Sequence, residues 1–534
     1  MEVRLFLAAN GGNLHQSKAL EFHASEPHGK VGICVTKDVE NNIGLAYSPG
    51  VAEPCLEIHK DKAMLSFYTN FKNRIAIVSN GTAVLGLGNI GAAASKPVLE
   101  GKCALFKILA DIDCVDLIFS ETDPEVLAKQ ISHVAESFAG IMIEDVKAPE
   151  CFALEEMLQD RLGIPVFHDD QHGTAVVCVS AVINWLKRYP RNVTDLKVVC
   201  VGTGAAGIGC LNLLVSFGIR IENITTFDTK GVIHSNRTDI NEYKRKFATN
   251  KNTTLAEALV GANIFLGTSV AGTLNRELIA KLAPNALILA LANPVPEITP
   301  DIVMEERPDC LICTGRSDFP NQVNNVFCFP YLFRILLDLD LKLSNHLKLV
   351  IAKAIASLAK GESLMPNAGD VSIRYLMPAA VLRELGMNDK SVQYSRSNAI
   401  RLLPSIFELN PNQTRPIHPK EMLTMRYSLN IDGSEGVASI LDDWGIVVRA
   451  TPDFIHTTDI ECNGCEEHGE DYLTMIYLNG NLTTMNSDRL FAGDYVGYIK
   501  QTHGKIYVNC HQGARVDHKV LFNLYITRLI NASN

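Results

Sequence analysis

Four carboxylates arrive in two tight pairs. Gly140-Ile-Met-Ile-Glu144-Asp145 ends an apolar run in two acids, and Ile164-Pro-Val-Phe-His168-Asp169-Asp170 does the same. If the two runs are adjacent parallel strands, their tips meet, and the acids repel one another unless a cation joins them. Donors that are all oxygen suit a hard ion, Mg²⁺ or Mn²⁺, rather than zinc. The competing reading makes them helix caps and solvated loop acids. Asp170 precedes Gly173-Thr174 and a helical run, so it could be a cap; all four acids could not. His168 and His172 stand four apart, a zinc spacing only on a continuous helix, whereas this run starts as a strand.

Two glycine-rich segments offer a second chemistry, the cradling of a pyrophosphate at a helix N-terminus. Gly86-Leu-Gly88-Asn-Ile-Gly91 follows Ala83-Val-Leu, and Gly202-Thr-Gly204-Ala205-Ala206-Gly207 follows Lys197–Val201. The second has the better context: a helical run to Phe217, then a strand ending in Asp228, where a carboxylate would bind an adenine ribose. After the first, Pro97 interrupts the helical run and no strand ends in an acid as clearly, so it reads as a tight turn, with a substrate contact left open. Asp228 favours NAD because it repels a 2′-phosphate, but Lys230 could accept one. NAD or NADP stays open.

These residues need a scaffold. From about 20 to 415, short β-branched runs alternate with longer amphipathic ones, the pattern of α/β architecture with parallel sheets. Expected strands include 74–78, 139–143, 164–167, 197–201, 223–227, 264–267, 287–290 and 310–313. Asn410-Pro-Asn-Gln-Thr-Arg-Pro-Ile-His-Pro419 reads as a linker. Beyond it, Asp432-Gly433, Asn479-Gly480 and His503-Gly504 separate short strands, which predicts a small strand-rich domain. That domain carries ten Lys and Arg against fifteen Asp and Glu, half of the chain's net charge of −10. The acidic balance argues against nucleic acid as a partner, since counterion displacement needs a basic face. Fourteen cysteines, scattered singly, suit a reducing compartment. No apolar run reaches the roughly 18 residues of a membrane span, and the first residues make a poor signal peptide. A soluble cytoplasmic protein is expected.

Phe167-His-Asp-Asp-Gln-His-Gly-Thr-Ala175 resembles the signature of malic enzymes. The resemblance extends, in family order, through Ala46-Tyr47-Ser-Pro-Gly50-Val-Ala-Glu-Pro54, Leu85–Gly91, Lys96-Pro-Val-Leu-Glu-Gly-Lys102, Glu144-Asp145-Val-Lys-Ala-Pro-Glu150, Ala292-Asn-Pro-Val-Pro-Glu297 and Gly315-Arg-Ser-Asp318 through Asn325. It covers roughly residues 18–415 and is nearest to the short prokaryotic type.

The resemblance implies a domain for substrate and metal at 18–169 and a Rossmann-type dinucleotide-binding domain at 170–324. A helical segment at 325–414 would return to the first domain, with the accessory domain at 415–534. It implies oxidative decarboxylation of malate to pyruvate. Tyr47 would be the general acid and Lys102 the general base assisted by Asp169. Glu144, Asp145 and Asp170 would hold Mg²⁺ or Mn²⁺. Gly202, Gly204, Ala205, Ala206 and Gly207 would take the pyrophosphate of NAD or NADP, and Asp228 its adenine ribose. Asn293 and Asn325 would orient malate and the nicotinamide side. A homo-oligomer is implied too.

Three features depart from the family. Ala83 stands where the eukaryotic branch has a carboxylate-binding arginine. Tyr375-Leu-Met-Pro-Ala-Ala replaces a segment expected after Lys360, and residues 415–534 are too few for the usual extension. In that tail Cys462-Asn-Gly-Cys465 and His468, with His503 and Cys510-His511, could form a zinc site, though the second pair lacks standard spacing. Two other readings of the chain compete: a malolactic-type enzyme that keeps its dinucleotide bound, and a non-catalytic dinucleotide-binding scaffold.

Overall fold

The β-branched runs form parallel strands in the computed structural model, which describes residues 30–32, 39–368, 370, 373–386 and seven strands between 426 and 525. The chain divides into two units, 1–171 and 172–534.

Among the described residues the first unit begins with three α-helices, α1 (Ile43–Ala46), α2 (Ala52–Lys60) and α3 (Leu65–Tyr68), none of which buries a residue. Its sheet has the order β2-β1-β3-β4, built from β1 (Arg74–Ser79), β2 (Asp113–Ile118), β3 (Gly140–Ile143) and β4 (Val166–His168), all parallel. The crossovers are α4 (Ala92–Ala110), α5 (Pro124–Val134) and α6 (Glu150–Arg161). Every residue of β3 is buried, as befits a central strand covered on both faces. In the β3–β4 register Ile143 faces His168, so Glu144-Asp145 and Asp169-Asp170 leave neighbouring strands at the same end, as the sequence leads one to expect.

Helix α4 corrects one expectation. It runs unbroken through Pro97. The proline removes a single backbone donor, and the apolar stripe Leu99, Cys103, Phe106 and Ala110 holds the rest of the helix against β1 and β2.

The second unit carries a six-stranded sheet of order β10-β9-β8-β5-β6-β7. Its strands are β5 (Val198–Val201), β6 (Ile224–Asp228), β7 (Gly231–Val232), β8 (Ile264–Gly267), β9 (Leu287–Ala290) and β10 (Leu311–Thr314); only β7 runs antiparallel. Helices α7 (Thr174–Arg188), α8 (Ala205–Phe217), α9 (Glu242–Arg245), α10 (Leu255–Leu259), α11 (Arg276–Ile279), α12 (Pro300–Glu306), α13 (Phe329–Leu339), α14 (Asn345–Ser357) and α15 (Ile373–Glu384) complete it. Residues 175–182 of α7 are all buried, so this helix lies inside the unit with α8 and α14 against it. Asn184 Nδ2 donates to the carbonyls of Ala356 and Leu364, 2.9 Å each, tying α7 to the end of α14 and the turn beyond it.

Further along the chain, β11 (Arg426–Leu429) pairs with β17 (Phe522–Tyr525). The remaining strands, β12 (Val447–Val448), β13 (Tyr472–Tyr477), β14 (Leu482–Thr484), β15 (Tyr495–Thr502) and β16 (Lys505–Cys510), form a sheet of order β12-β16-β15-β13-β14. Cys462, Cys465, His468, His503 and His511 lie outside the described residues.

Candidate active site

Position 102 falls on the buried stripe of α4, seven residues after Ser95 and four before Phe106. A lysine there survives burial only with anionic partners. Lys102 is 9% exposed, and its Nζ donates to Asp169 Oδ2 and lies 3.2 Å from Glu144 Oε1. Burial works against the ammonium, but the charges of Asp169 and Glu144 hold it above the usual lysine range.

Glu144, Asp145 and Asp170 come together at the strand tips, one carboxylate oxygen of each within 4.8 Å of the others. Burial drives Glu144 well above the carboxylate range against the pull of Lys102. Burial and then the charge of Asp170 push Asp145 up to about 7. Glu144 Oε2 and Asp145 Oδ2 are buried and receive no hydrogen bond. Two orphaned carboxylate oxygens beside a third carboxylate fit a hard divalent cation, whose charge would favour their ionised forms and relieve the repulsion. Asp145 itself sits in the left-handed backbone region (φ 56°).

Asp170 is not a helix cap. Helix α7 has no side-chain cap, and Asp170 Oδ2 instead accepts from the Asp145 backbone N–H at 3.0 Å and lies 3.1 Å from His168 Nε2. Burial opposes its ionisation, yet the His168 contact and Lys102 hold it below the usual range. On the far side of the imidazole, Gln171 Nε2 reaches His168 Nδ1 at 2.9 Å and Glu155 Oε2 at 3.1 Å. Glu155 Oε1 accepts the His168 backbone N–H at 3.1 Å.

A carboxylate only accepts, so Gln171 turns its NH₂ toward Glu155 and therefore toward Nδ1 as well. That leaves the imidazole proton on Nε2, aimed at Asp170. His168 is thus a positioning residue for a carboxylate rather than a zinc ligand. Sequence reasoning missed it because the signal (His, two positions before the acid) shows only once the strand ends in a π-helical turn over 169–173. Replacing His168 with alanine is expected to weaken Mn²⁺ binding by about 10- to 100-fold, measured by calorimetry on the unloaded chain.

In the second unit, Gly202 follows β5 at φ +100°, and its N–H donates to Phe227 O at the end of β6. A Cβ on Gly202 would stand 2.3 Å from Thr268 O, and one on Gly207 2.0 Å from Gly202 O. Gly204 caps α8, and Ala205 and Ala206 form its first turn, so backbone N–H groups are left to receive a phosphate. Gly207→Ala is therefore expected to abolish dinucleotide binding in a calorimetric titration; wild-type affinity would contradict this packing.

The other glycine segment lacks the strand before it. Its loop closes on Gly81, whose O accepts from Ile90 and Gly91, and Val84 bridges to Gly88.

Asp228 does end β6, but it is fully engaged. Oδ1 accepts from Arg237 Nη1 (2.8 Å) and the Lys230 N–H (3.0 Å), and Oδ2 from Arg237 Nη2 (3.0 Å) and Lys244 Nζ (2.9 Å). Burial alone would raise its pKa, but Arg237 and Lys244 bring the carboxyl down to about 2. Asn293 is exposed next to Gly315, Asn325 opens a short 3₁₀ turn before α13, and Tyr47 is 72% exposed after α1.

The ten described cysteines between Cys55 and Cys328 are free thiols. No helix among the described residues is long and apolar enough to cross a membrane.

Comparison with known proteins places both units. Residues 29–130 match the family model for the malic enzyme N-terminal domain, and 171–368 that for the malic enzyme NAD binding domain. Over 350 residues the chain is 49% identical to an NADP-dependent malic enzyme of Haemophilus influenzae, covering 64% of this chain and 46% of that one. It thus spans about half the length of such curated relatives. A shorter NADP-dependent malic enzyme, from Halomonas elongata, is 45% identical over 64% of this chain and 82% of its own. The crystal structure of an NAD-dependent malic enzyme from Thermotoga maritima superposes with a TM-score of 0.64 and 37% identity, covering 68% of this chain and 99% of that one. With both domain signatures in order and a shorter relative matched almost end to end, the chain belongs to the malic enzyme family.

Proposed function

We propose that the chain oxidatively decarboxylates (S)-malate to pyruvate and carbon dioxide, reducing NAD or NADP with Mg²⁺ or Mn²⁺ bound. The observation that carries this reading is the buried Lys102 amine held on Asp169 and Glu144 beside the Glu144, Asp145 and Asp170 cluster. When bound, the cation supplies polarisation of the substrate's C2 oxygen, and the dinucleotide supplies the acceptor for the C2 hydrogen.

The chain's own residues do the rest. Lys102, once neutral, takes the hydroxyl proton, and Asp169 orients it through their hydrogen bond. Tyr47 protonates C3 after carbon dioxide has left. Glu144, Asp145 and Asp170 hold the cation, and Gly202 to Gly207 cradle the pyrophosphate. Asn293 and Asn325 orient substrate and nicotinamide.

A homo-oligomer is part of the proposal, because α1–α3 leave Ile43, Leu45, Leu56 and Phe67 more than half exposed. A cytoplasmic site is consistent with the free thiols. The test is a steady-state assay with malate and Mn²⁺ against each dinucleotide. Absence of turnover with both would refute the reading.

A further inference from the structure

One fully buried carboxyl group has no part in the metal cluster or the proton path. Glu297, in the second unit, is 0% exposed, and its partners are neutral donors. Oε1 accepts from the Ser269 N–H at 2.8 Å and the Ser269 hydroxyl at 3.2 Å, and Oε2 from the Ala292 N–H at 3.0 Å. A carboxyl group this far from water is tolerated only when its oxygens are hydrogen-bonded. Its seat is shaped to it as well. A Cβ on Gly267 would stand 2.5 Å from Glu297 Cδ and 2.7 Å from Oε1, so glycine leaves the room that the carboxyl fills.

The two backbone donors belong to different loops. Ser269 follows β8 and Ala292 follows β9, and these strands are parallel neighbours. One carboxyl group thus fastens two adjacent loops at the same edge of the sheet. The main chain of Glu297 helps, since its carbonyl accepts from the Leu274 N–H at the far end of the β8 loop, 3.3 Å.

These loops flank the place where the sheet can bind a ligand. The strand order reverses between β5 and β8, and open α/β sheets take their ligands in the crevice at such a point. Thr268, beside Ser269, donates its hydroxyl to Gly202 O at 2.8 Å and its N–H to Val201 O at 2.9 Å. The β8 loop is therefore fixed to the glycine turn. On the other side, buried Ala292 leads into the exposed Asn293-Pro294-Val295. A continuous series of hydrogen bonds and peptide links runs from Gly202 through Thr268, Ser269, Glu297 and Ala292 to Asn293.

We propose that Glu297 is a positioning residue for the nicotinamide end of the dinucleotide. It sets Asn293 and the β8 loop relative to the glycine turn, so that a dinucleotide held by its pyrophosphate meets a preformed seat for its second ring. Glutamine is no substitute. Backbone N–H groups face both oxygens, and an amide would turn its NH₂ toward one of them, releasing one loop. The inference deepens the dinucleotide-binding part of the proposed function and rests on it.

The test uses the full chain without metal or malate. It is titrated calorimetrically with NADH or NADPH, whichever the wild type binds more tightly, and with the matching ADP-ribose, which lacks the nicotinamide. Glu297→Gln should leave ADP-ribose affinity unchanged and weaken the dinucleotide at least about tenfold, the effect of a seat that must be ordered on binding. In turnover, kcat should fall about 10²-fold, as for a misplacement of about 1 Å, with little change in KM for malate. Gly267→Ala, whose Cβ evicts the carboxyl, should give the same split. Equal loss of both ligands, or loss of folding in both variants, would make Glu297 a structural residue and overturn the proposal. Wild-type dinucleotide affinity and kcat in Glu297→Gln would overturn it too. Absence of ADP-ribose binding by the wild type would instead remove the dinucleotide reading, and this inference with it.

Discussion

Lys102→Arg is expected to lower kcat for malate oxidation by about 10²- to 10⁴-fold, the span of a lost general base, while the chain stays folded. The arginine keeps a positive charge against Asp169 and Glu144 but cannot give up its proton near neutral pH. Lys102→Met should be as inactive for a different reason and less stable as well. It leaves two buried carboxylates without their counter-charge, a loss on the order of 3–5 kcal/mol. Thermal melts separate the two effects. A merely structural lysine would tolerate arginine, so near wild-type turnover in Lys102→Arg would remove Lys102 from the chemistry. The sign of the pH dependence follows from the same contacts. Asp169 and Glu144 keep the amine protonated, so base activity rises with pH. With Glu144 engaged by a divalent cation, Asp169 is the main charge left to oppose deprotonation.

The second large effect is on metal. Chelation by EDTA should stop turnover and Mn²⁺ should restore it, because Glu144 Oε2 and Asp145 Oδ2 are buried without partners. The stability readout is independent of activity. Mn²⁺ at about 100 times its Kd should stabilise the chain by about 2.7 kcal/mol. Binding should also release protons below neutral pH, since Asp145 must lose the proton it holds up to about 7. Glu144→Gln should abolish most of the stabilisation. Turnover in rigorously metal-free buffer would contradict the role given to the cluster.

The sequence revealed the strand tips well. An apolar run closed by two acids, twice over, is a local pattern, and the parallel register Ile143 to His168 is what turns it into a site. The choice between two glycine segments was legible for the same reason, since strand, turn and helix are consecutive in sequence. Lys102 was legible only through resemblance: seen alone, Glu-Gly-Lys looks like surface, and its burial depends on which face of α4 meets the sheet. Three features were not legible. Pro97 looked like a helix end, but tertiary packing outweighed one lost hydrogen bond. For Asp170 a cap competed with a metal ligand, and only the π-helical turn, which carries it to His168 and the Asp145 N–H, removes the cap. The partners of Asp228 were hidden too, because Arg237 and Lys244, nine and sixteen residues on, reach it only through the fold of the connection after β7.

The central claim is oxidation coupled to decarboxylation. The most direct measurement follows malate, pyruvate, carbon dioxide and reduced dinucleotide together in one Mn²⁺-containing reaction. The account predicts equimolar pyruvate, carbon dioxide and reduced dinucleotide for the malate consumed. Lactate without net reduced dinucleotide, as a malolactic-type enzyme would give, or no consumption of malate at all, would contradict it.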